Sequence, residues 1–355
     1  MVEPRAIPQS PHGAERGRYG LQVEISLSEV TVADAENFWR RSPQATAFND
    51  PIVAGKFAHS IDWWIAKRGE MPFLLWPVAQ NSKGDVVIPP LSYYFGPMWS
   101  PEVLEKSITS RLADTTNCYR IMVEKFLDRY GAIEFELHPT LTDVRFFDWW
   151  NFGGPPQERF AIFPKYSAQI GNLVSSDDDF LMSNMRKVRR QEIRRFESDP
   201  RFERVYGIPT SVFSELRREM IESQGLIEDP SETVAAAAFG SLESEGKAHT
   251  VGTRDRDSGE IVAATLTLDA KSSTNLIYSV ARLEARAQGV AAWTVFNALR
   301  EARDRGIEIF DFNGANSPQR GDDKHSYGAN PVLYFRLRYP GLSKTLAPAQ
   351  GNSAS

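Results

Sequence analysis

Arg286-Ala287-Gln288-Gly289-Val290-Ala291 places an arginine and small residues in the order R-x-x-G-x-A, between an apolar run ending near Val280 and a helical pattern starting near Gly289. Small side chains let a backbone approach a phosphate closely, and the unbonded N–H groups and positive dipole end of the following helix favour its charge. The segment therefore suits a cradle for the pyrophosphate of a pantetheine-bearing donor, lined by Arg286, Gln288, Gly289, Val290 and Ala291. An ordinary strand-to-helix turn, in which Gly289 supplies only an unusual dihedral, uses the same residue types. The flanking strand and helix patterns favour the cradle.

A second concentration of chemistry is cationic. Arg186, Lys187, Arg189, Arg190, Arg194 and Arg195 fall on one expected helix, which opens with Asp177, Asp178 and Asp179 where carboxylates suit the dipole. Leu181, Met185, Val188 and Phe196 make its apolar stripe. A solvated basic face is the ordinary reading. So many like charges at i,i+3 and i,i+4 spacing nevertheless repel one another, which makes a local phosphate site a real alternative.

The elements that must position these residues follow the same plan twice. A strand from Leu21 to Leu27, a helix capped by Thr31, a second helix across Ile52 to Lys67, two strand-like runs (Pro72 to Ala79 and Asp85 to Trp99), a long helix from Pro101 to Tyr130 and a strand from Ala132 to His138 give β-α-α-β-β-α-β. From Phe160 onward the order recurs: a strand, helices near 177, 211–224 and 231–245, three strands, a helix from Gly289 to Arg305, a strand at Ile307 to Phe312 and a last one at Val332 to Tyr339. The expected fold class is α/β (α+β), two tandem halves at residues 21–155 and 156–343. Each half is a mixed, mostly antiparallel sheet flanked by helices, with tails at residues 1–20 and 344–355 whose Pro, Gly, Ser and charge content suits unanchored ends.

Composition bounds the function. A chain of 355 residues, 41% hydrophobic, is large enough for two cores, and a net charge of -5 argues against global wrapping of nucleic acid or anionic membrane. Cys118 is the single cysteine, so no internal disulfide forms, and core packing is its expected role. No signal-peptide or membrane-spanning run is evident, which points to a cytoplasmic protein without membrane insertion. His12, His59, His138 and His249 show no zinc spacing, so no metal is expected. Hydrolase, ATPase and dehydrogenase motifs are missing too.

The pattern of strand, R-x-x-G-x-A, helix and strand resembles GNAT acyltransferases. Met182 to Arg195 resembles the basic first helix of the FemABX-like, double-GNAT group, and Phe310-Asp311-Phe312-Asn313-Gly314 with Lys324-His325-Ser326-Tyr327-Gly328 resembles its D-F-G-G … K-x-x-F-G signature. Asn313 and Tyr327 depart from it, and the loop 315–323 is long. Weaker echoes are Ser42-Pro43 to Phe48 and Tyr93 to Pro97.

The resemblance implies an N-acyltransferase in which an amine attacks the donor directly within a ternary complex. The donor would be acyl-CoA, or alternatively aminoacyl-tRNA bound by its acceptor end, and the acceptor a small-molecule, amino-sugar or peptide amine. Lys324 would stabilise the oxyanion. Arg186, with Arg189 and Arg190, would touch an acceptor diphosphate or an RNA end. Asp311 would take a proton from the attacking ammonium or merely cap the next turn, and His325 and Tyr327 would relay protons beside Lys324. A non-catalytic double-GNAT binding module is the third alternative. The aromatic clusters at Trp63-Trp64 and Phe146 to Phe152 suit core packing ahead of a base-stacking platform.

Overall fold

A computed structural model describes residues 25–225, 233 and 236–340. Both expected tails, residues 21–24 of the first strand and most of residues 226–235 lie outside the described residues. The first part of the chain runs β1 (Ile25–Glu29), α1 (Val32–Arg41), α2 (Pro51–Phe57), β2 (Ser60–Arg68), β3 (Met71–Gln80), β4 (Val86–Val87), β5 (Met98–Trp99), α3 (Pro101–Leu104), α4 (Ile108–Tyr130), β6 (Ile133–Glu136) and α5 (Arg145–Trp149). The remainder runs β7 (Ala161–Ile170), α6 (Asp178–Asn184), α7 (Lys187–Glu197), β8 (Phe202–Tyr206), α8 (Thr210–Ser223), α9 (Phe239–Ser244), β9 (Ala248–Asp255), β10 (Ile261–Ala270) and β11 (Ser273–Ala281). It ends with α10 (Leu283–Ala287), α11 (Val290–Asp304), β12 (Ile309–Asp311), α12 (Pro318–His325) and β13 (Asn330–Tyr339).

Two sheets form. The smaller has the order β1-β2-β3-β4, with β5 also on β3, and the larger β6-β13-β7-β12-β11-β10-β9-β8. Every pairing is antiparallel except β11 with β12, which is parallel and only three residues long, Ser273↔Ile309 to Asn275↔Asp311. Strand β6 precedes residue 155 in sequence yet pairs with β13, Arg336 opposite Glu136, so the larger sheet draws on both parts of the chain.

Three cores hold these layers. Trp76 packs edge-on against Tyr119, Phe126, Phe135 and Phe147 between the smaller sheet and α4, an arrangement that suits the ring quadrupoles. Cys118 is fully buried in that cluster, as expected, and burial pushes its thiol up to about 12. A second core joins α1 and α2 to α8, α9 and β10, so it bridges the two parts of the chain. The Lys247 ammonium on Asp50 (2.6 Å) and Lys271 donating to the Ser42 carbonyl (2.7 Å) add polar ties there. The third lies between α7, α11 and the larger sheet.

Several boundaries differ from the sequence reading. The expected helix Ile52 to Lys67 is α2 followed by β2. Trp63 and Trp64 face different cores, so β2 is apolar on both faces and lacks the alternation that marks a strand. Pro89 and Pro90 supply no N–H donors, and β4 and β5 form where a single strand was expected. The basic helix is also two: Met185 and Arg186 are extended (ψ 155 and 150) and separate α6 from α7, leaving Val188 half exposed rather than on an apolar stripe.

Candidate active site

β11 and β12 part company at their third paired residue. Past Asn275 the outer edge of β11, Leu276–Ala281, has no strand beside it among the described residues, so its backbone groups face a gap. Opposite Leu266 and Thr267 of β10 the β11 register skips Ile277, a bulge that turns the strand at the point where the gap opens. The side chain of Asn313 fills the apex: its amide donates to the Leu276 carbonyl (2.8 Å) and its oxygen accepts from Asn275 (2.8 Å). Asn313 itself is left-handed at φ 58, a conformation asparagine tolerates better than most residues. Its side-chain amide thus plugs the point where the two strands separate.

The R-x-x-G-x-A segment lies past the far end of that edge. α10 is inserted between β11 and α11, and the next residues deliver Gly289 at φ 86 as the N-cap of α11. Val290 is buried, Ala291 half-buried, and Arg286 and Gln288 are exposed. Only glycine suits position 289. An added Cβ would lie 2.7 Å from the Glu192 side chain of α7, on top of the positive φ.

Asp311, the last residue of β12, is 1% exposed. Its carboxylate accepts from the Tyr94 hydroxyl (2.8 Å), Gln169 Nε2 (2.8 Å), the Ser167 hydroxyl and the Asn313 N–H (2.7 Å). The last of these is the turn cap that was one of its two expected roles. Burial pushes its pKa up, and the hydrogen bonds from Ser167, Gln169 and Tyr94 oppose the shift.

Lys324 is not on an exposed loop. Ser317-Pro318 starts α12, which fills the long 315–323 segment, and carries Lys324 inward so that its ammonium donates to the carbonyls of Asn313 (2.9 Å) and Gly314 (2.6 Å). Desolvation pulls its pKa down to about 8, against the favourable charge of Asp311. Its neighbours are fixed by packing. The Tyr327 ring stacks on Phe312 at 5.4 Å, and His325 Nδ1 meets the Ala329 carbonyl at 2.8 Å.

The three arginines expected at a substrate anion bind protein carboxylates and carbonyls. Arg186 makes a bidentate pair with Asp322 (2.8 and 2.6 Å), Arg189 bonds Glu192 (2.9 Å), Ser326 (2.8 Å) and Asp323, and Arg190 donates to the Met185 carbonyl at 2.5 Å. Together Arg186 and Arg189 clamp α12, and with it Lys324, onto α7. Sequence reasoning missed the groups that complete this centre: Tyr94, Ser167, Gln169, Asn275 and Glu192. Four of the five come from segments more than thirty residues from the positions they bind, and no local pattern marks them.

Away from this centre, Trp63, Trp64 and Phe147 are core, while Trp149 and Phe152 are exposed. Trp149 lines a cavity of about 990 Å³ between α4 and residues 140–151. No helix among the described residues is long and apolar enough to cross a membrane.

Residues 181–325 match the family model of an acetyltransferase (GNAT) domain. In solved structures the whole chain is similar to FemX, with a TM-score of 0.60 and 10% identity over 87% of this chain and 96% of that one. It is also similar to a conserved protein of unknown function from Bacteroides thetaiotaomicron (TM-score 0.57, 13% identity, 89% and 99% covered). A third is L-PGS from Bacillus licheniformis (TM-score 0.51, 13% identity, 90% and 94% covered). No curated protein matches the sequence. Residues 181–325 therefore carry a GNAT acetyltransferase-type domain, and the chain as a whole has a FemABX-like double-GNAT fold.

Proposed function

We propose that the chain transfers an acyl group from acyl-CoA to an amine, with the pantetheine arm along the open edge of β11 and the pyrophosphate at the start of α11. The observation that carries this is the pairing of an unpartnered strand edge with a left-handed Gly289 at the next long helix N-terminus. An extended amide chain is recognised by such an edge through main-chain hydrogen bonds, and a phosphate by such a helix start. Arg286 and Gln288, both exposed, flank the phosphates; Val290 and Ala291 supply N–H groups.

In the chemical step the neutral acceptor amine attacks the thioester carbonyl directly, forming the C–N bond. The tetrahedral oxyanion then collapses with cleavage of the C–S bond, and the coenzyme A thiolate leaves and takes up the proton that the nitrogen loses. Two of the three N–H groups of Lys324 bind the Asn313 and Gly314 carbonyls. The third is offered to the oxyanion that develops. Asp311 is sealed by four donors, so its part is to hold the β12 end and the charge of Lys324, and the proton of the amine leaves by another route. His325 and Tyr327 support α12.

Calorimetric titration of the full chain with coenzyme A tests the donor: binding in the micromolar range, lost in Gly289→Glu, supports it. Absence of binding by the unaltered chain rejects it in favour of an aminoacyl-tRNA donor, a reading favoured by the likeness to FemX and by the cations left outside the α12 clamp, Lys187, Arg194 and Arg195. Binding of coenzyme A without turnover of any amine would leave a binding module.

A further inference from the structure

We propose that Glu192 is an internal anion standing at the donor loop, which a phosphate-bearing donor must displace, and that Arg189 is the residue that holds it there. This rests on the donor-loop reading above. Glu192 projects from α7 against the Cα of Gly289. A Cβ built there would lie 2.7 Å from its Cγ, 2.8 Å from Cδ and 2.9 Å from Oε1. One carboxylate oxygen, Oε1, therefore lies beside Gly289, the N-cap of α11, while the other, Oε2, accepts from Arg189 Nη1 at 2.9 Å. A carboxylate at a helix N-terminus is favoured by the same dipole that would hold a pyrophosphate, and the two anions repel at such range.

Arg189 makes the contact more than a packing accident. Its guanidinium bonds Glu192 with one nitrogen and Ser326 and Asp323 of the Lys324 segment with the others, and it lies 5.0 Å from the centre of the Tyr327 ring. When Glu192 swings away from an arriving phosphate, the N–H of Arg189 that it occupied becomes available to that phosphate, while the remaining bonds keep the guanidinium on α12. Glu192 is thus a specificity-determining residue: it disfavours the donor loop's occupation by phosphate, and its removal favours it. The pair also ties donor arrival to the helix that carries Lys324.

The test is calorimetry on the full chain and on Glu192→Gln, titrated with coenzyme A and with pantetheine, which has no phosphate. The substitution keeps the shape of a side chain that is about one-fifth exposed, so the fold should stand. Coenzyme A should bind at least about fivefold more tightly to Glu192→Gln, at the lower end of common site-to-site couplings, with no gain for pantetheine. Unchanged or weaker coenzyme A binding in Glu192→Gln, with the unaltered chain binding normally, overturns the inference and leaves the donor reading standing. An equal gain for pantetheine also overturns it, because the effect is then not one of charge. Failure of both proteins to bind coenzyme A removes the inference and the donor reading together.

Discussion

The Tyr94 hydroxyl donates to Asp311 across 2.8 Å and 217 residues of chain, joining the loop before β5 to the end of β12 at the bottom of the splayed strands. Both groups are buried, so the bond ties the two parts of the protein together in a site shielded from water. Burial, reinforced by the Asp311 charge, raises the Tyr94 pKa well above the ordinary phenol range, so it stays a donor.

Tyr94→Phe should therefore leave Asp311 short of a donor in a dry site. The expected cost is about 1–3 kcal/mol of stability, seen as a lowered denaturant midpoint with the slope unchanged. A loss within the noise of chemical denaturation would mean that water replaces the hydroxyl.

Lys324→Met should lower turnover by roughly a hundredfold with the acceptor KM little changed, since the ammonium acts only once charge develops. In the unaltered enzyme the ammonium is lost as pH rises through about 8, so turnover should fall on the alkaline side, and that limb should vanish in the variant. Steady-state kinetics from pH 6 to 10 check both points.

The same lysine gives a stability signature of known sign. Its folded pKa, about 8, lies below the ordinary 10.5, so the unfolded chain binds more protons between those values and the stability contribution grows as pH rises across that window. The melting temperature of the unaltered protein relative to Lys324→Met should climb from pH 8 to 10. A flat difference would mean the ammonium is better solvated than its burial implies.

Glu136 offers the opposite case. It is 5% exposed, accepts the Tyr94 N–H at 3.1 Å, and is pushed up to about 7 by burial. The folded state binds the extra proton, so its contribution to stability is fullest below pH 4.5 and is lost as pH rises to about 7. Glu136→Gln keeps an acceptor for Tyr94 and should gain on the parent over that window, by at most about 3 kcal/mol. Melting curves at pH 5 and pH 8 give the comparison.

Gly289→Ala adds a Cβ at φ 86, and the resulting left-handed alanine should cost about 1–2 kcal/mol. Pairing it with Glu192→Ala removes the 2.7 Å collision but not the dihedral strain, so the double variant should recover only part of the loss. Full recovery in a double-mutant cycle would show that the side-chain collision, and not the backbone, requires glycine.

The R-x-x-G-x-A run, the order of the elements and the D-F-N-G and K-H-S-Y-G segments were legible because each is local: glycine at a helix start, periodicity along one element and residues close in sequence carry their own physics. That was enough for the double-GNAT plan and for naming Gly289, Asp311 and Lys324 as candidates. Local pattern failed where an element is buried on both faces, as at β2, and where the chain stays extended between two amphipathic turns, as at Met185 and Arg186. The state of the site was decided by distance. Lys324 looks like a solvated loop cation until α12 folds it onto the Asn313 and Gly314 carbonyls, and Asp311 acquires its seal only when Tyr94, Ser167 and Gln169 arrive from other strands. Arg186 and Arg189 read as free charges because their partners, Asp322 and Asp323, stand more than a hundred residues away. Solvation and pairing are properties of neighbours in space, which is why tertiary structure alone assigned them.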